Sequence, residues 1–209
     1  MWLSIAMLKK LSVTVLTICT LTACQSTPTP LTPRPDTWAT PIKADANLHR
    51  VDEKLYRSEQ LTTDDKASIE QLGIKTIINL RYFDRDDNDV LFVGGQVNLL
   101  NYPILTMRAK PSDIAKVLYA IRQEQPKGAV LVHCYHGADR TGIVMAMYRV
   151  IYQGWTIDDA KQEMQLGGYG YHSIWKNLEK LLSQSGVAQV KAELAKLEQL
   201  DNIPTPIKP

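Results

Sequence analysis

The segment from Ala129 to about Gln153 constrains the fold of this chain more than any other. It begins with a short apolar run, Ala129–His133, which predicts a buried strand. A loop with a central glycine follows, and a second apolar run from Thr141 predicts a helix that is buried on most of its circumference. A strand that turns through a tight loop into a helix is the repeating unit of α/β domains, so an α/β fold is expected.

The loop between these two elements carries a cysteine and an arginine, Cys134 and Arg140, six positions apart. Such a loop can direct successive backbone N–H groups and a helix N-terminus at one point. The arginine can then bind two oxygens of a phosphate, and the same positive field favours the nucleophilic thiolate of the cysteine. These residues therefore predict attack on a phosphate ester, in a reaction that requires no metal and no other cofactor.

The remaining chain alternates between predicted strands and helices. Strands are predicted at 48–58 (as one strand or a hairpin), 74–80, 97–102 and 129–133, and helices at 62–72, 111–125, 141–153, 157–166, 171–184 and 187–200. Residues 81–89 are predicted to form a charged loop. This order predicts one α/β domain over residues 48–200, with a mainly parallel central sheet flanked by helices and a C-terminal tail at 201–209.

The amino terminus is predicted to be a targeting segment. Lys9 and Lys10 precede a short apolar stretch that ends in Leu-Thr-Ala-Cys at Cys24, which resembles a bacterial lipobox. We therefore expect a signal peptide at 1–23, a diacylglycerol on Cys24 and a tether rich in proline and threonine at 24–47. The alternatives are a non-lipidated signal peptide and a membrane anchor.

These features predict a location in the bacterial cell envelope, as a periplasmic or surface-exposed lipoprotein. Gln25 follows the cysteine, which resembles the pattern for sorting to the outer membrane. The formal net charge is +2, and removal of residues 1–23 leaves 22 basic and 22 acidic residues, so charge gives no reason to expect a nucleic acid partner. Cys134 is then the lone thiol of the domain and cannot belong to an intrachain disulfide.

The ten residues at 133–142, His-Cys-Tyr-His-Gly-Ala-Asp-Arg-Thr-Gly, resemble the phosphate loop of cysteine-dependent protein tyrosine and dual-specificity phosphatases. A second stretch, Leu55–Ser58 followed by Gly73–Arg81, is similar to the amino-terminal part of small bacterial, fungal and plant phosphatases of the dual-specificity type. The likeness extends over roughly residues 48–185. It implies a dual-specificity phosphatase-like fold and a phosphocysteine intermediate.

The resemblance also implies the roles of individual residues. Cys134 would be the nucleophile and Arg140 would bind the phosphoryl group and stabilise its transition state. His133 would order the loop, and Thr141 would support the departing thiolate. The phosphate itself would be bound by the loop residues Tyr135, His136, Gly137, Ala138, Asp139 and Arg140.

The general acid departs from the family pattern. Most relatives place an aspartate about thirty residues before the cysteine, but residues 90–112 hold neither aspartate nor glutamate. One candidate is Asp139, whose alternative role is a salt bridge that orders the loop. The other candidate is an acidic cluster, whose alternative role is a solvated loop: Asp84, Asp86, Asp87 and Asp89.

Three other functions compete with a protein phosphatase. A catalytically dead domain that reads phosphorylated ligands would normally lose the cysteine or the arginine, and this chain keeps both. An inositol phosphate or phosphoinositide phosphatase often carries lysines in the loop, and Tyr135, His136 and Ala138 provide none. A sulfur- or arsenate-handling protein fits the Arg-Thr-Gly ending poorly. The expected partner is a phosphorylated protein or a small phosphate ester, in addition to the lipid anchor in the membrane.

Overall fold

The computed structural model describes residues 34–92, 94–95 and 97–201. Six strands form one sheet, in the spatial order β1-β2-β3-β6-β4-β5. Their bounds are β1 Thr40–Lys43, β2 Leu48–Asp52, β3 Leu55–Ser58, β4 Ile74–Asn79, β5 Asn98–Asn101 and β6 Ala129–His133.

Helices connect and cover these strands. The α-helices are α1 Lys66–Gln71, α2 Asp87–Leu91, α3 Pro111–Glu124, α4 Asp139–Tyr152, α5 Ile157–Leu166, α6 Lys176–Leu181 and α7 Gln184–Asp201. Short 3-10 helices lie at Ala44–Ala46, Thr63–Asp65 and Thr106–Arg108. No helix within the described ranges is long and apolar enough to cross a membrane.

The predicted α/β fold with a mainly parallel sheet is confirmed. Strands β3, β6, β4 and β5 pair in parallel, whereas β1 and β2 add an antiparallel edge that makes the sheet mixed. Strand β6 is central, with β3 and β4 on either side.

The alternation of side chains along β6 explains how both faces of the sheet are covered. Val130 and Val132 belong to the core shared with α3, α4, α5 and α7, whereas Leu131 packs on the opposite face with residues of α1. All three side chains are fully buried. In register, His133 lies beside Ser58 of β3 and Asn79 of β4, so the loop that follows β6 begins at the carboxyl edge of the parallel strands.

Three predicted boundaries are wrong. The domain begins before residue 48, because Ala39 is buried and Thr40–Lys43 pairs with β2, so residues 34–47 are not a free tether. The predicted charged loop contains a helix, α2, because Asn88 is buried and anchors it. The helix predicted at 171–184 is reduced to Lys176–Leu181, since residues 167–175 form an irregular segment. The predicted signal peptide, Cys24 and most of the C-terminal tail lie outside the described residues.

Candidate active site at the carboxyl end of strand β6

The loop from Cys134 to Ala138 has all of its carbonyl groups hydrogen bonded to donors outside the loop. The donors are His133 Nδ1 to Cys134 O (3.0 Å), Gln60 N to Tyr135 O (2.9 Å), Asn47 Nδ2 to His136 O (2.9 Å), Arg57 Nη2 to Gly137 O (2.5 Å) and Gly142 N to Ala138 O (2.8 Å). In a planar trans peptide, the N–H group points opposite to the carbonyl. The N–H groups of this loop therefore turn away from these donors, and within the described chain none from Tyr135 to Arg140 donates a hydrogen bond. Such a row of unpaired N–H groups ahead of a helix is an anion-binding site.

Gly137 brings this loop close to the backbone at the end of β3. Its φ is +67°, in the left-handed region, and a Cβ added there would lie 2.5 Å from the carbonyl oxygen of Ser58 and 2.7 Å from the backbone nitrogen of Glu59. Only glycine combines that dihedral angle with that approach.

Arg57 supports the loop through a hydrogen bond to its backbone. Its side chain is fully buried, its Nη2 donates to the carbonyl of Gly137, and its Cζ lies 3.5 Å from the ring centroid of Tyr169. Burial lowers the pKa of Arg57 from its ordinary value, while Tyr169 and Glu163 oppose that shift. Sequence reasoning gave this residue no role, although it lies within the Leu55–Ser58 stretch that carries part of the family resemblance.

His133 is a neutral residue that orders the base of the loop. Its Nδ1 donates to the carbonyl of Cys134 at 3.0 Å, so its Nε2 is the acceptor for Asn88 Nδ2 at 2.7 Å. Burial lowers the pKa of His133 to about 4, with further contributions from the positive charges of Arg81 and Arg140. Sequence reasoning missed Asn88, because an asparagine within a charged run gave no signal of burial.

The titration of His133 gives the domain a defined dependence of stability on pH. The free energy of unfolding includes a term that is fully present above the unfolded-state pKa of 6.5 and is lost as the pH falls towards the folded-state pKa of about 4, because the unfolded chain binds the proton first. That shift corresponds to about 3 kcal/mol. Urea denaturation of wild type and His133→Asn from neutral to acidic pH measures it. The variant should lose less stability on acidification by that amount, and parallel curves would contradict the assignment.

Three of the residues with implied roles, the nucleophile, the phosphate-binding arginine and the thiolate-supporting threonine, lie at the two ends of the loop. Cys134 is a free cysteine with 1% of its surface exposed, at the end of β6. Arg140 lies in the first turn of α4, half-buried, with Nη1 3.5 Å from the carbonyl oxygen of Leu80. The hydroxyl of Thr141 is buried without a hydrogen-bond partner among the described residues, so its proton is not committed to another protein group.

The acidic cluster is divided between ion pairs and solvent. Asp84 and Asp87 both bind the buried guanidinium of Arg81, with Arg81 Nη2 3.1 Å from Asp84 Oδ2. Asp86 and Asp89 are exposed. Since the same guanidinium also donates to Gln60 Oε1 at 2.8 Å, the cluster orders the segment beside the loop. Two of the four aspartates, Asp84 and Asp87, therefore bind a buried arginine, whereas the alternative of a solvated loop describes only Asp86 and Asp89.

Asp139 is bonded to the segment that precedes α6. Its carboxylate accepts the backbone N–H of His172 at 2.8 Å and lies 3.0 Å from the Nδ1 atom of the same residue. Asn47 Nδ2 binds the carbonyls of His136 and Tyr169 at 2.9 Å each, which joins the same segment to the loop. Nothing in the sequence relates His172 to Asp139, which lies 33 positions earlier.

A buried polar network extends from this region to the start of the described chain. Glu163 makes a two-pronged ion pair with Arg149 (2.8 and 2.9 Å), and it also accepts from Ala39 N at 2.6 Å and from the Tyr169 hydroxyl at 3.1 Å. Burial raises the pKa of Tyr169 to about 12, which keeps that hydroxyl protonated. Arg34 donates to the same hydroxyl at 2.9 Å. The edge of the domain is thus connected to the tyrosine that stacks on the buried arginine below the loop.

The comparisons with known proteins identify the family of the chain. The family model described as "DSP-PTPase phosphatase fused to NAD+ Kinase" matches residues 38–178. The dual specificity protein phosphatase TpbA of Pseudomonas aeruginosa is 35% identical over 133 residues, which are 64% of this chain and 60% of that relative, so less than two thirds of the relative's length is matched.

Solved structures give the same result for the fold. The crystal structure of P. aeruginosa TpbA superposes with a TM-score of 0.69 at 29% identity, covering 77% of this chain and 98% of that chain. TpbA in complex with phosphotyrosine gives 0.70 at 30% identity, with 78% and 98% covered. A phosphatase-like structure from Shewanella putrefaciens, at 19% identity and a TM-score of 0.53, covering 67% of this chain and 93% of that chain, shares the fold alone.

Proposed function

The chain belongs to the DSP-PTPase family of dual-specificity-type phosphatases, and from that premise we propose that it hydrolyses phosphate monoesters through a phosphocysteine intermediate on Cys134. The observation that carries the proposal is the row of unpaired N–H groups from Tyr135 to Arg140, held open by five bonded carbonyls. This row begins at the buried thiol and ends at an arginine, which is the arrangement that transfer of a phosphoryl group to sulfur requires.

In the first step, the thiolate of Cys134 attacks phosphorus and the ester oxygen leaves. The equatorial oxygens bind the loop N–H groups and the guanidinium of Arg140, which stabilise the charge that develops there. Because the loop N–H groups are already unpaired, they need no reorganisation at the moment of reaction.

In the second step, water attacks the phosphocysteine and releases inorganic phosphate. The leaving group is then the thiolate of Cys134, and the unpartnered hydroxyl of Thr141 is the donor that would stabilise it. His133 supports both steps indirectly, by fixing the carbonyl of Cys134.

A direct test is to trap the intermediate. The protein should release phosphate from p-nitrophenyl phosphate, and rapid acid quenching should give a peptide containing Cys134 that carries the mass of one phosphoryl group. Hydrolysis without this adduct would contradict a covalent mechanism. Tight binding of phosphate esters without turnover would instead identify a reader domain.

We propose an aryl phosphate such as phosphotyrosine as the preferred substrate. Tyr135 is exposed at the rim of the loop, its ring lies 5.3 Å from the guanidinium carbon of Arg81, and the ring of His136 packs edge-on against it. These rings offer an aromatic surface beside the phosphate site. The relative TpbA has been crystallised with phosphotyrosine, which supports the same substrate class here.

We further propose that the domain is anchored in the bacterial cell envelope through a lipid on Cys24, as a periplasmic or surface lipoprotein of the outer membrane. The lipobox-like residues before Cys24 support this proposal. Wild type should fractionate with outer membranes and incorporate a fatty-acid label, whereas Cys24→Ser should lose both properties with the phosphatase domain intact. Wild-type protein that incorporates no fatty-acid label would contradict lipidation of Cys24.

A further inference from the structure

The leaving oxygen needs a proton, and the segment about thirty residues before Cys134, where most relatives place the general acid, has no carboxyl group to supply it. As the ester bond breaks, the leaving oxygen of an alkyl or tyrosyl phosphate becomes strongly basic and must be protonated. The turn that follows β5 presents exposed Met107 and Arg108, and residues 90–112 hold no carboxyl group. The nearby carboxylates of Asp84 and Asp87 are committed to Arg81.

Asp139 and His172 form an ordered acid–base pair at the other side of the loop. The carboxylate holds His172 at two points, through the backbone N–H at 2.8 Å and through Nδ1 at 3.0 Å. The side chain of Asp139 is 13% exposed and that of His172 is 54% exposed. Because Nδ1 is engaged by the carboxylate, Nε2 is the ring nitrogen that faces outward, free to exchange a proton.

The position of this pair relative to the phosphate site follows from the contacts of its segment. Asp139 is adjacent to Arg140 in the first turn of α4. Asn47 joins the segment to the loop through the carbonyls of His136 and Tyr169, and the rings of His136 and His172 lie 6.0 Å apart. The imidazole of His172 therefore lies beside the phosphate loop, next to the first turn of α4 that carries Arg140.

The bonding pattern distinguishes the roles of the two side chains. The carboxyl group of Asp139 accepts the hydrogen bonds from the backbone and the ring of His172. A carboxylate bonded to Nδ1 also fixes the orientation of an imidazole and stabilises its protonated form, as in hydrolytic triads. Asp139 therefore acts through the ring, and Nε2 of His172 is the atom that can give or take the proton.

We propose that His172, oriented by Asp139, is the proton donor of the phosphoryl transfer. This inference rests on the proposed phosphatase function. The thiolate forms the S–P bond while the P–O bond breaks, and Nε2–H of the imidazolium transfers its proton to the leaving oxygen, which gives a free alcohol and a neutral imidazole. In hydrolysis, Nε2 takes a proton from the attacking water, the S–P bond breaks, and thiolate, imidazolium and inorganic phosphate result.

The test compares leaving groups of different basicity. His172→Asn keeps an amide that can bond to Asp139 but has no proton to transfer. We expect kcat/KM for an alkyl phosphate to fall by about 10²–10³-fold, and that for phenyl phosphate by an intermediate factor. The value for p-nitrophenyl phosphate, whose leaving group needs little protonation, should change less than about fivefold. Added imidazole should restore part of the alkyl phosphatase activity of His172→Ala.

Two measurements separate this role from a structural one. Inhibition by vanadate reports on the phosphate loop and should be unchanged in His172→Asn. Weaker vanadate inhibition, together with equal losses of kcat/KM on all three substrates, would show that the ring only supports the loop. That result would overturn the proposal. If wild type is active and His172→Asn has the same kinetics on all three substrates, the proton-donor role is overturned and the phosphatase function stands. A wild-type protein without Cys134-dependent turnover would overturn the phosphatase function as well.

Discussion

Replacing Cys134 by serine is expected to abolish hydrolysis of aryl phosphates, with a loss of at least about 10⁴-fold, while the site still binds phosphate. A serine hydroxyl is a much weaker nucleophile at neutral pH than a thiolate that faces a positive field. The hydrogen bonds that fix the loop, including the one to the carbonyl of Cys134, do not use the sulfur atom. The anion site should therefore survive the substitution.

Phosphate release and ligand-induced thermal stabilisation measure these two consequences independently. Binding of phosphate or vanadate should raise the melting temperature of Cys134→Ser as it raises that of wild type. Arg140→Lys is the complementary variant, because a point charge replaces a two-pronged donor and binding should fall along with turnover. Residual activity of Cys134→Ser at the wild-type level would exclude this cysteine as the nucleophile.

Gly137→Ala is expected to have the second largest effect, on both stability and activity. The new Cβ would lie 2.5 Å from the carbonyl oxygen of Ser58, which is backbone of a buried strand and cannot move aside as a side chain would. The loop must shift, and its bond to Arg57 must lengthen. We expect a loss of about 2–4 kcal/mol in the free energy of unfolding and of about 10²-fold or more in kcat/KM.

Gly154→Ala is the matched control for this substitution. Gly154 has a nearly equal φ, +72°, but a Cβ there would meet nothing within 4 Å. It should therefore show only the cost of a left-handed alanine, about 1 kcal/mol, and normal activity. Equal effects of the two variants would show that the dihedral angle matters and the contact with Ser58 does not.

The elements around the loop were predictable because their signals are local. The apolar run at 129–133 and the helix that follows it needed no tertiary information, and the same holds for α5, whose predicted and observed bounds coincide at 157–166. The choice of Cys134 and Arg140 was equally local, since both belong to one short loop.

The supporting residues could not be predicted, because their roles depend on distant contacts. Arg57 lies 80 positions before Gly137, and Asn88 lies 45 positions before His133. A buried arginine or asparagine looks like any surface residue in a single sequence. The short strand Thr40–Lys43 was missed for a related reason: its surroundings contain proline and threonine, and only pairing with β2 makes it a strand.

The contacts of Arg34 and Ala39 limit how this domain can be joined to other proteins. Both residues bond to the Glu163–Tyr169 network, and Tyr169 stacks on the arginine that supports the catalytic loop. A gene fusion or a natural exchange of leader sequences therefore has to place its junction before Arg34. A junction only a few residues further on would keep every catalytic side chain but would remove contacts that support Tyr169 and, through it, the arginine beneath the catalytic loop.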